Sequence, residues 1–223
     1  MKDKKASDKK LLKEVVYDSL RNKILNGEFH PGTVLNERDL SHLLGVSRTP
    51  VREALKALEV EDLVEHIPYT GVVVKEMNLR ELRNIFEVRT VLEVFVVKLA
   101  FEKINREIMR TLQQCIDDQD KFVRDANDKL QEFMRLDMEF HNILASTTDN
   151  PLLKQLIEKM RIKAMVLGIN ALNVGVHRFT ETIEEHQAIH DALEKGDLAQ
   201  AMAAMERHIQ NTYDSAYEAL VRN

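Results

Sequence analysis

Apolar residues return every three or four positions over most of the first sixty residues, which is the spacing of one face of an α-helix. The first such segment, Leu11 to Asn26, ends at Gly27 and has apolar residues at Leu12, Val15, Val16, Leu20 and Ile24. A short second segment, Glu37 to Leu44, lies between the capping residue Asn36 and Gly45. A third segment has a buried-type stripe at Val51, Leu55 and Leu58. We therefore predict three helices, of which the last two are joined by a turn of about three residues.

Two short runs of strand-forming residues follow these helices. They cover Leu63 to Ile67 and Val72 to Lys75, and the segment Pro68-Tyr69-Thr70-Gly71 between them has the composition of a hairpin turn. A helix, a helix–turn–helix and a β-hairpin in this order predict a winged helix–turn–helix.

From Leu79 onward the pattern is helical only, so the predicted fold class is mostly α. We predict about six helices here, at 79–103, 105–126, 128–146, 151–172, 176–195 and 197–221. The predicted organisation is a basic flexible tail over 1–10, a winged helix–turn–helix over 11–76 and an all-helical domain over 79–223, with Met77-Asn78 at the boundary.

The third helix carries cations on the side opposite its apolar stripe. Arg48, Arg52 and Lys56 are spaced four apart and share one face. In a helix–turn–helix the second helix enters the major groove with its N-terminal residues at the base edges. The predicted DNA-binding residues are therefore Arg38, Ser47, Arg48, Thr49, Arg52 and the wing glycine Gly71. The alternative is a solvated basic face paired with Glu53 and Glu59, which the neighbouring helix and hairpin make less attractive.

Charge and composition narrow the function only a little. The net charge of −5 conceals an asymmetry, because residues 1–75 hold 13 Lys and Arg against 12 Asp and Glu, and the remainder holds 19 against 25. A nearly neutral segment can still present a cationic face, so the net charge does not exclude DNA as a partner.

The single cysteine, Cys115, excludes an internal disulfide and a thiolate metal cluster. No apolar run is long enough for a membrane helix or secretory signal, and we expect a cytoplasmic protein without membrane partners.

The helix–turn–helix segment resembles a known family. The residues LNERDL (Leu35–Leu40) and LGVSRTPVREAL (Leu44–Leu55) are similar to the DNA-binding domain of the GntR family of bacterial transcription regulators. This resemblance implies that the third helix binds double-stranded DNA.

Histidines and a carboxylate form a candidate metal set in the second domain. Asp137 and His141 lie four apart on one predicted helix, and His186 and His208 lie on the last two helices. An Asp-x-x-x-His pair is usually a surface hydrogen bond, whereas three histidines and a carboxylate that converge would suit Zn²⁺ or a similar ion. Spacing alone does not show whether they converge.

The second domain is similar to the FCD ligand-binding domain of the FadR subfamily. The resemblance lies in EVRTVLEVFVVKLA (Glu87–Ala100), DMEFHNIL (Asp137–Leu144) and EEHQAIHDALEKGDLAQAMAAMERHI (Glu184–Ile209). It implies that the metal ligands are Asp137, His141, His186 and His208, with His190 outside the set. It also implies a divalent metal ion, for which zinc is the main candidate and nickel, manganese and iron are alternatives. A small-molecule effector, often a carboxylate, is implied as well. Arg89 is a candidate for pairing with that carboxylate, and the alternative is that Arg89 bridges to Glu93 one turn on.

These resemblances imply a homodimeric regulator, most often a repressor, that binds a near-palindromic operator. One alternative is a regulator that responds to the metal itself. The other is a metal-dependent enzyme, for which the sequence offers no clear general base. Glu139 and Glu185 lie near ligands in the sequence, but their offsets point them away from the ligand side.

Overall fold

The computed structural model describes residues 2–76, 78–124, 130–169 and 176–222. It divides into two compact units, Met1–Met77 and Asn78–Asn223. The mostly α-helical class, with a winged helix–turn–helix followed by a helical domain, is confirmed. Among the described residues, no helix is both long and apolar enough to cross a membrane.

The N-terminal unit consists of α1 (Lys2–Leu25), α2 (Glu37–Leu44), α3 (Arg48–Val60), β1 (Val64–Ile67) and β2 (Gly71–Val74). Helix α1 packs against α3, and its side of the core is formed by Val16, Leu20 and Ile24. The segment predicted as a flexible basic tail is helical in the structure, where α1 begins at Lys2. The physical reason is local: this segment contains no Gly or Pro, and Lys and Ala are good helix formers.

The predicted caps hold α2 in place. The side chain of Asn36 accepts a hydrogen bond of 2.9 Å from the backbone N–H of Arg38, and Gly45 adopts φ 65° at the other end. Ser47 is the N-cap residue of α3, but its side chain makes no capping hydrogen bond. Gly45 therefore ends α2, and α3 begins three residues later at Arg48.

Strands β1 and β2 pair antiparallel, with Val64 opposite Val74 and Ile67 opposite Gly71. Val34 adds an isolated bridge to Val73. At the hairpin tip, Tyr69 has φ 66° and Gly71 has φ 106°. A Cβ atom at Gly71 would meet nothing within 4 Å, so it is this φ, rather than crowding, that favours glycine there.

The described residues of the C-terminal unit form helices joined by short connections: α4 (Leu79–Phe101), α5 (Arg106–Arg124), α6 (Leu130–Thr147), α7 (Pro151–Ile169), α8 (Val176–Glu194) and α9 (Leu198–Arg222). Helix α4 packs against α6, α7 and α9, while α8 packs against α5 and α9. A capping box between Asn78 and Glu81 starts α4. The predicted helix ends at 126, 128 and 172, and the predicted boundary residue Met77, lie outside the described residues.

Cys115 is buried in α5, and its thiol donates to the backbone carbonyl of Leu136 at 3.3 Å. Burial, with a smaller contribution from nearby carboxylates, raises the pKa of this thiol to about 12. The side chain therefore remains a neutral thiol, which is consistent with a packing role.

Candidate functional site

Four side chains from three helices converge inside the C-terminal unit. Helix α6 supplies Asp137 and His141, α8 supplies His186 and α9 supplies His208. One potential ligand atom from each of these residues lies within 4.8 Å of the others, and all four residues are buried. The structure thus brings together the four residues that the sequence resemblance assigns to a metal.

Each histidine has an oxygen atom beside the Nδ1 atom of its ring. His186 Nδ1 lies 2.9 Å from Gln119 Oε1, and His208 Nδ1 lies 2.7 Å from Glu185 Oε2. His141 Nδ1 contacts Glu93 Oε2. A proton shared with such an oxygen belongs on Nδ1, which leaves the Nε2 lone pair free to bind a cation.

The distances around the Nε2 atoms of the three histidines indicate whether a cation fits between them. His141 Nε2 and His208 Nε2 are 3.2 Å apart, and two lone pairs at that distance repel unless one nitrogen is protonated or a cation lies between them. His186 Nε2 is buried, makes no hydrogen bond among the described residues and lies 3.4 Å from Asp137 Oδ1. Three imidazoles and one carboxylate are ligands that Zn²⁺ and related divalent ions accept. The residues present therefore fit a divalent metal ion.

A buried ionic network surrounds this cluster. Arg161 contacts Asp137 Oδ2 and, through Nη1, lies 3.1 Å from Glu93 Oε2. Arg89 Nε donates to Glu93 Oε1 at 2.9 Å, so Arg89 makes the one-turn bridge that its spacing allowed. All four residues are buried. Two arginines and two carboxylates balance each other in charge, which is how buried ions are tolerated.

These surroundings set the ionisation of the ligands. Burial by itself raises the pKa of Asp137, but Arg161 and the nearby imidazoles lower it by more, so the pKa is below its usual range. Burial and, to a smaller extent, Arg161 lower the pKa of His141 to about 4, against the opposing effect of Glu93. Burial also lowers the pKa of His186. At neutral pH Asp137 is therefore an anionic carboxylate, and His141 and His186 are neutral imidazoles, the states in which these groups bind metal.

Sequence reasoning missed part of this arrangement. It assigned no role to Arg161 or Gln119, and it expected Glu185 to point away from the ligand side, whereas Glu185 contacts His208 on the next helix. Glu139 does lie on the exposed side, where it pairs with Arg135. A signal for Arg161 was present, because it continues the buried stripe of Leu153 and Ile157 at four-residue spacing.

His190 lies near the cluster in sequence but outside it in space. Its Nε2 is 3.3 Å from the backbone carbonyl of Met109, and the residue is buried between α8 and α5. It is not among the four residues whose ligand atoms converge.

The residues predicted to bind DNA lie on the surface of the N-terminal unit. Arg38, Ser47, Arg48, Thr49 and Arg52 are exposed, and Gly71 is partly exposed. Lys56 extends the cationic face of α3, while Val51, Leu55 and Leu58 are buried on its other side. The guanidinium of Arg52 pairs with Glu37 of α2 through two hydrogen bonds of 2.8 Å. The sequence had offered Glu53 and Glu59 as the acidic neighbours instead.

Comparison with known proteins matches each of the two units to the family that its sequence resembles. The family described as bacterial regulatory proteins, gntR family, matches residues 12–74, and the FCD domain family matches residues 84–211. The HTH-type transcriptional regulator LutR of Bacillus subtilis is 32% identical over 215 residues, covering 86% of this chain and 94% of LutR. The HTH-type transcriptional repressor RspR of Escherichia coli is 29% identical over 209 residues, covering 93% of this chain and 90% of RspR. Among solved structures, Escherichia coli McbR/YncC has a TM-score of 0.80 at 24% identity, covering 93% of this chain and 97% of that one, and is similar in fold.

Proposed function

The chain belongs to the gntR family of bacterial transcription regulators and carries an FCD domain, and from this premise we propose that it is a repressor released from its operator by a carboxylate effector bound at a metal ion. The observation that carries the proposal is the buried cluster of Asp137, His141, His186 and His208, with a charge-balanced network around it. The repressor role is supported by the similarity to RspR, which is named as a repressor.

The proposed metal is a divalent ion, zinc first, held by the four clustered residues. A bound ion supplies a Lewis-acid position that accepts an oxygen of the effector. The outer oxygens of Glu93, Gln119 and Glu185 orient the three imidazoles toward it. Ions such as nickel, manganese and iron accept the same ligands, so the donor set selects a class of metal rather than one element.

Charge and unused donors support an anionic effector. The two arginines already balance Glu93 and Asp137, so a divalent ion adds positive charge in a buried place and favours an anion beside it. Arg161 Nε and Gln119 Nε2 are buried donors without a hydrogen-bond acceptor among the described residues. A carboxylate supplies acceptors for such donors. Arg89, the sequence-predicted candidate for pairing with the effector, is connected to Arg161 through Glu93.

Release of DNA by small acids tests this proposal. The full-length protein, loaded with zinc or treated with a chelator, is mixed with a duplex selected for tight binding. A panel of small hydroxy acids, dicarboxylic acids and sugar acids is then added, with the matching amides as controls. We expect release by one acid only when zinc is present, and no release by its amide. Release by zinc alone would favour a metal-responsive regulator, and release by the acid without metal would refute the metal-bound effector.

We also propose that the protein is a homodimer through its C-terminal unit, which would match a near-palindromic operator. The support is that two helices packed against each other both carry exposed apolar side chains at helical spacing, Val88, Val91 and Phe95 on α4 and Leu152 and Leu156 on α7. Clustered exposed apolar residues of this kind are typical of protein–protein contact surfaces.

Replacing both Val91 and Phe95 with aspartate is expected to convert the dimer to a monomer at micromolar concentration, because it buries charge in an apolar contact. Sedimentation velocity of the full-length protein measures the change. The matched control is Val221→Asp, an exposed apolar residue near the end of α9, which should leave the dimer intact. A wild-type protein that sediments as a monomer would contradict the proposal.

A further inference from the structure

The pair formed by Arg52 and Glu37 joins the two helices of the helix–turn–helix. Arg52 lies in the first half of α3, and Glu37 is the first residue of α2. Arg52 Nε donates to Glu37 Oε1, and Arg52 Nη2 donates to Glu37 Oε2, both at 2.8 Å. The side chain of Arg52 is nevertheless 59% exposed. The guanidinium is therefore fixed along one edge and open to solvent elsewhere.

The exposed edge of the Arg52 guanidinium carries N–H donors that match the acceptors of guanine. A guanidinium carries five N–H groups in a planar fork. The contact with Glu37 uses the edge made by Nε and Nη2. The edge made by Nη1 and Nη2 has no acceptor among the described residues, so it is available to a second bidentate partner. In the major groove, guanine presents the acceptors O6 and N7, the pair that arginine binds in this bidentate way.

We propose that Glu37 is a positioning residue that holds the guanidinium of Arg52 for a guanine in each operator half-site. This inference rests on the proposed function as an operator-binding repressor and on the predicted placement of α3 in the major groove. It adds to that placement a specificity-determining role for an acidic residue on α2 and a base identity in the operator.

The charge of Glu37 argues that the pair serves recognition. A carboxylate on a DNA-binding surface repels phosphates and lowers affinity for every sequence alike. The hydrogen bond from Arg52, with smaller contributions from the charges of Arg48 and Lys56, lowers the pKa of Glu37, so this carboxylate of α2 lies close to the cationic face of α3. An exposed ion pair contributes little to stability. The benefit of this acidic residue is then the fixed orientation of Arg52, which favours the correct base over the others.

The experiment begins with the full-length protein and a pool of duplexes randomised over about two helical turns, the span of two half-sites. Sequencing of the bound fraction gives the preferred duplex and the positions where guanine is required. Binding is then measured for that duplex, for versions with each guanine replaced, and for a scrambled duplex. The proteins compared are the wild type, Glu37→Ala, Glu37→Gln, Arg52→Ala and the double variant Glu37→Ala/Arg52→Ala.

We expect Glu37→Ala to bind the preferred duplex roughly tenfold more weakly, within the range of a lost bidentate base contact. Its preference for guanine should fall at one position in each half-site, while its affinity for the scrambled duplex stays the same or increases. Glu37→Gln, which keeps one acceptor, should lie between wild type and Glu37→Ala. Adding Glu37→Ala to Arg52→Ala should cause no further loss of guanine preference, because the two residues act as one unit.

The matched control is Glu53→Ala, which removes the same charge from an exposed position next to Arg52 in α3 and should keep the guanine preference. Unchanged guanine preference in Glu37→Ala would overturn the inference, and so would an equal loss on all duplexes together with a lower melting temperature. If Arg52→Ala itself left binding to every duplex unchanged, the placement of α3 in the groove would be wrong, and the inference would fail with it.

Discussion

The His208→Ala protein is expected to lose both the proposed metal binding and the proposed response to an acid effector. His208 faces His141 across 3.2 Å between their Nε2 atoms, and its ring is oriented by Glu185 from the outside. Loss of a direct ligand should weaken metal binding by more than the roughly 10–100-fold that loss of an outer partner costs. Binding of the effector should fall with it, while DNA binding by the unliganded protein is retained. Elemental analysis and titration calorimetry with zinc, then with the acid, provide the measurement.

The control for this variant is His190→Ala. His190 is also buried, lies four residues after His186 on the same helix, and contacts the carbonyl of Met109 rather than the cluster. Its replacement should lower stability but leave metal content unchanged. Full occupancy in the His208→Ala protein, or metal loss in His190→Ala, would show that the ligand set is wrong.

The Arg161→Ala protein is expected to show three effects that differ in sign. Without metal, removal of this buried cation leaves Asp137 and Glu93 without one of their compensating charges, which should lower the free energy of unfolding by about 3–5 kcal/mol. Metal affinity should increase, because Arg161 no longer competes with the ion for the Asp137 carboxylate. Affinity for the acid effector should decrease, because a buried donor is lost. Urea unfolding with and without zinc, followed by calorimetry, measures all three.

Arg135→Ala is the matched control for a lost arginine. Arg135 lies on α6 and pairs with Glu132 and Glu139, but its side chain is 57% exposed. Its removal should cost no more than about 1 kcal/mol, as for other exposed ion pairs. A loss in Arg161→Ala as small as that in Arg135→Ala, or a fall in metal affinity, would contradict the role we assign to Arg161.

Features that depend on neighbouring residues were available from the sequence alone. The ends of α2 follow from Asn36 and Gly45, because a capping side chain and a positive φ act within a few residues. The turn before β2 follows in the same way from the segment that ends at Gly71. The start of α1 was placed too late, since charge suggested a solvated tail while helix propensity, with no Gly or Pro to interrupt it, continues the helix.

DNA binding was predicted from the order of the elements and the cationic face of α3, whereas the metal and the effector were predicted by resemblance to a family. Asp137 and His141 share a helix face by their spacing, and Arg48 and Arg52 share another, so each pair was readable from periodicity. That periodicity does not predict whether His186 and His208 lie close to Asp137 and His141. Their convergence was implied by the family, and the structure brings their ligand atoms together with those of Asp137 and His141.

Only the tertiary structure decided which groups surround the cluster and which acid pairs with Arg52. Arg161 meets Asp137 across 24 positions of the chain, His186 meets Gln119 across 67, and Arg52 meets Glu37 across 15. Helix periodicity fixes which side chains share a face of one helix, because that geometry repeats with the backbone. Contacts between helices depend instead on how the helices pack and rotate against each other, which is set by the whole core. For this reason the sequence alone determined the elements and their apolar faces, and packing determined the site.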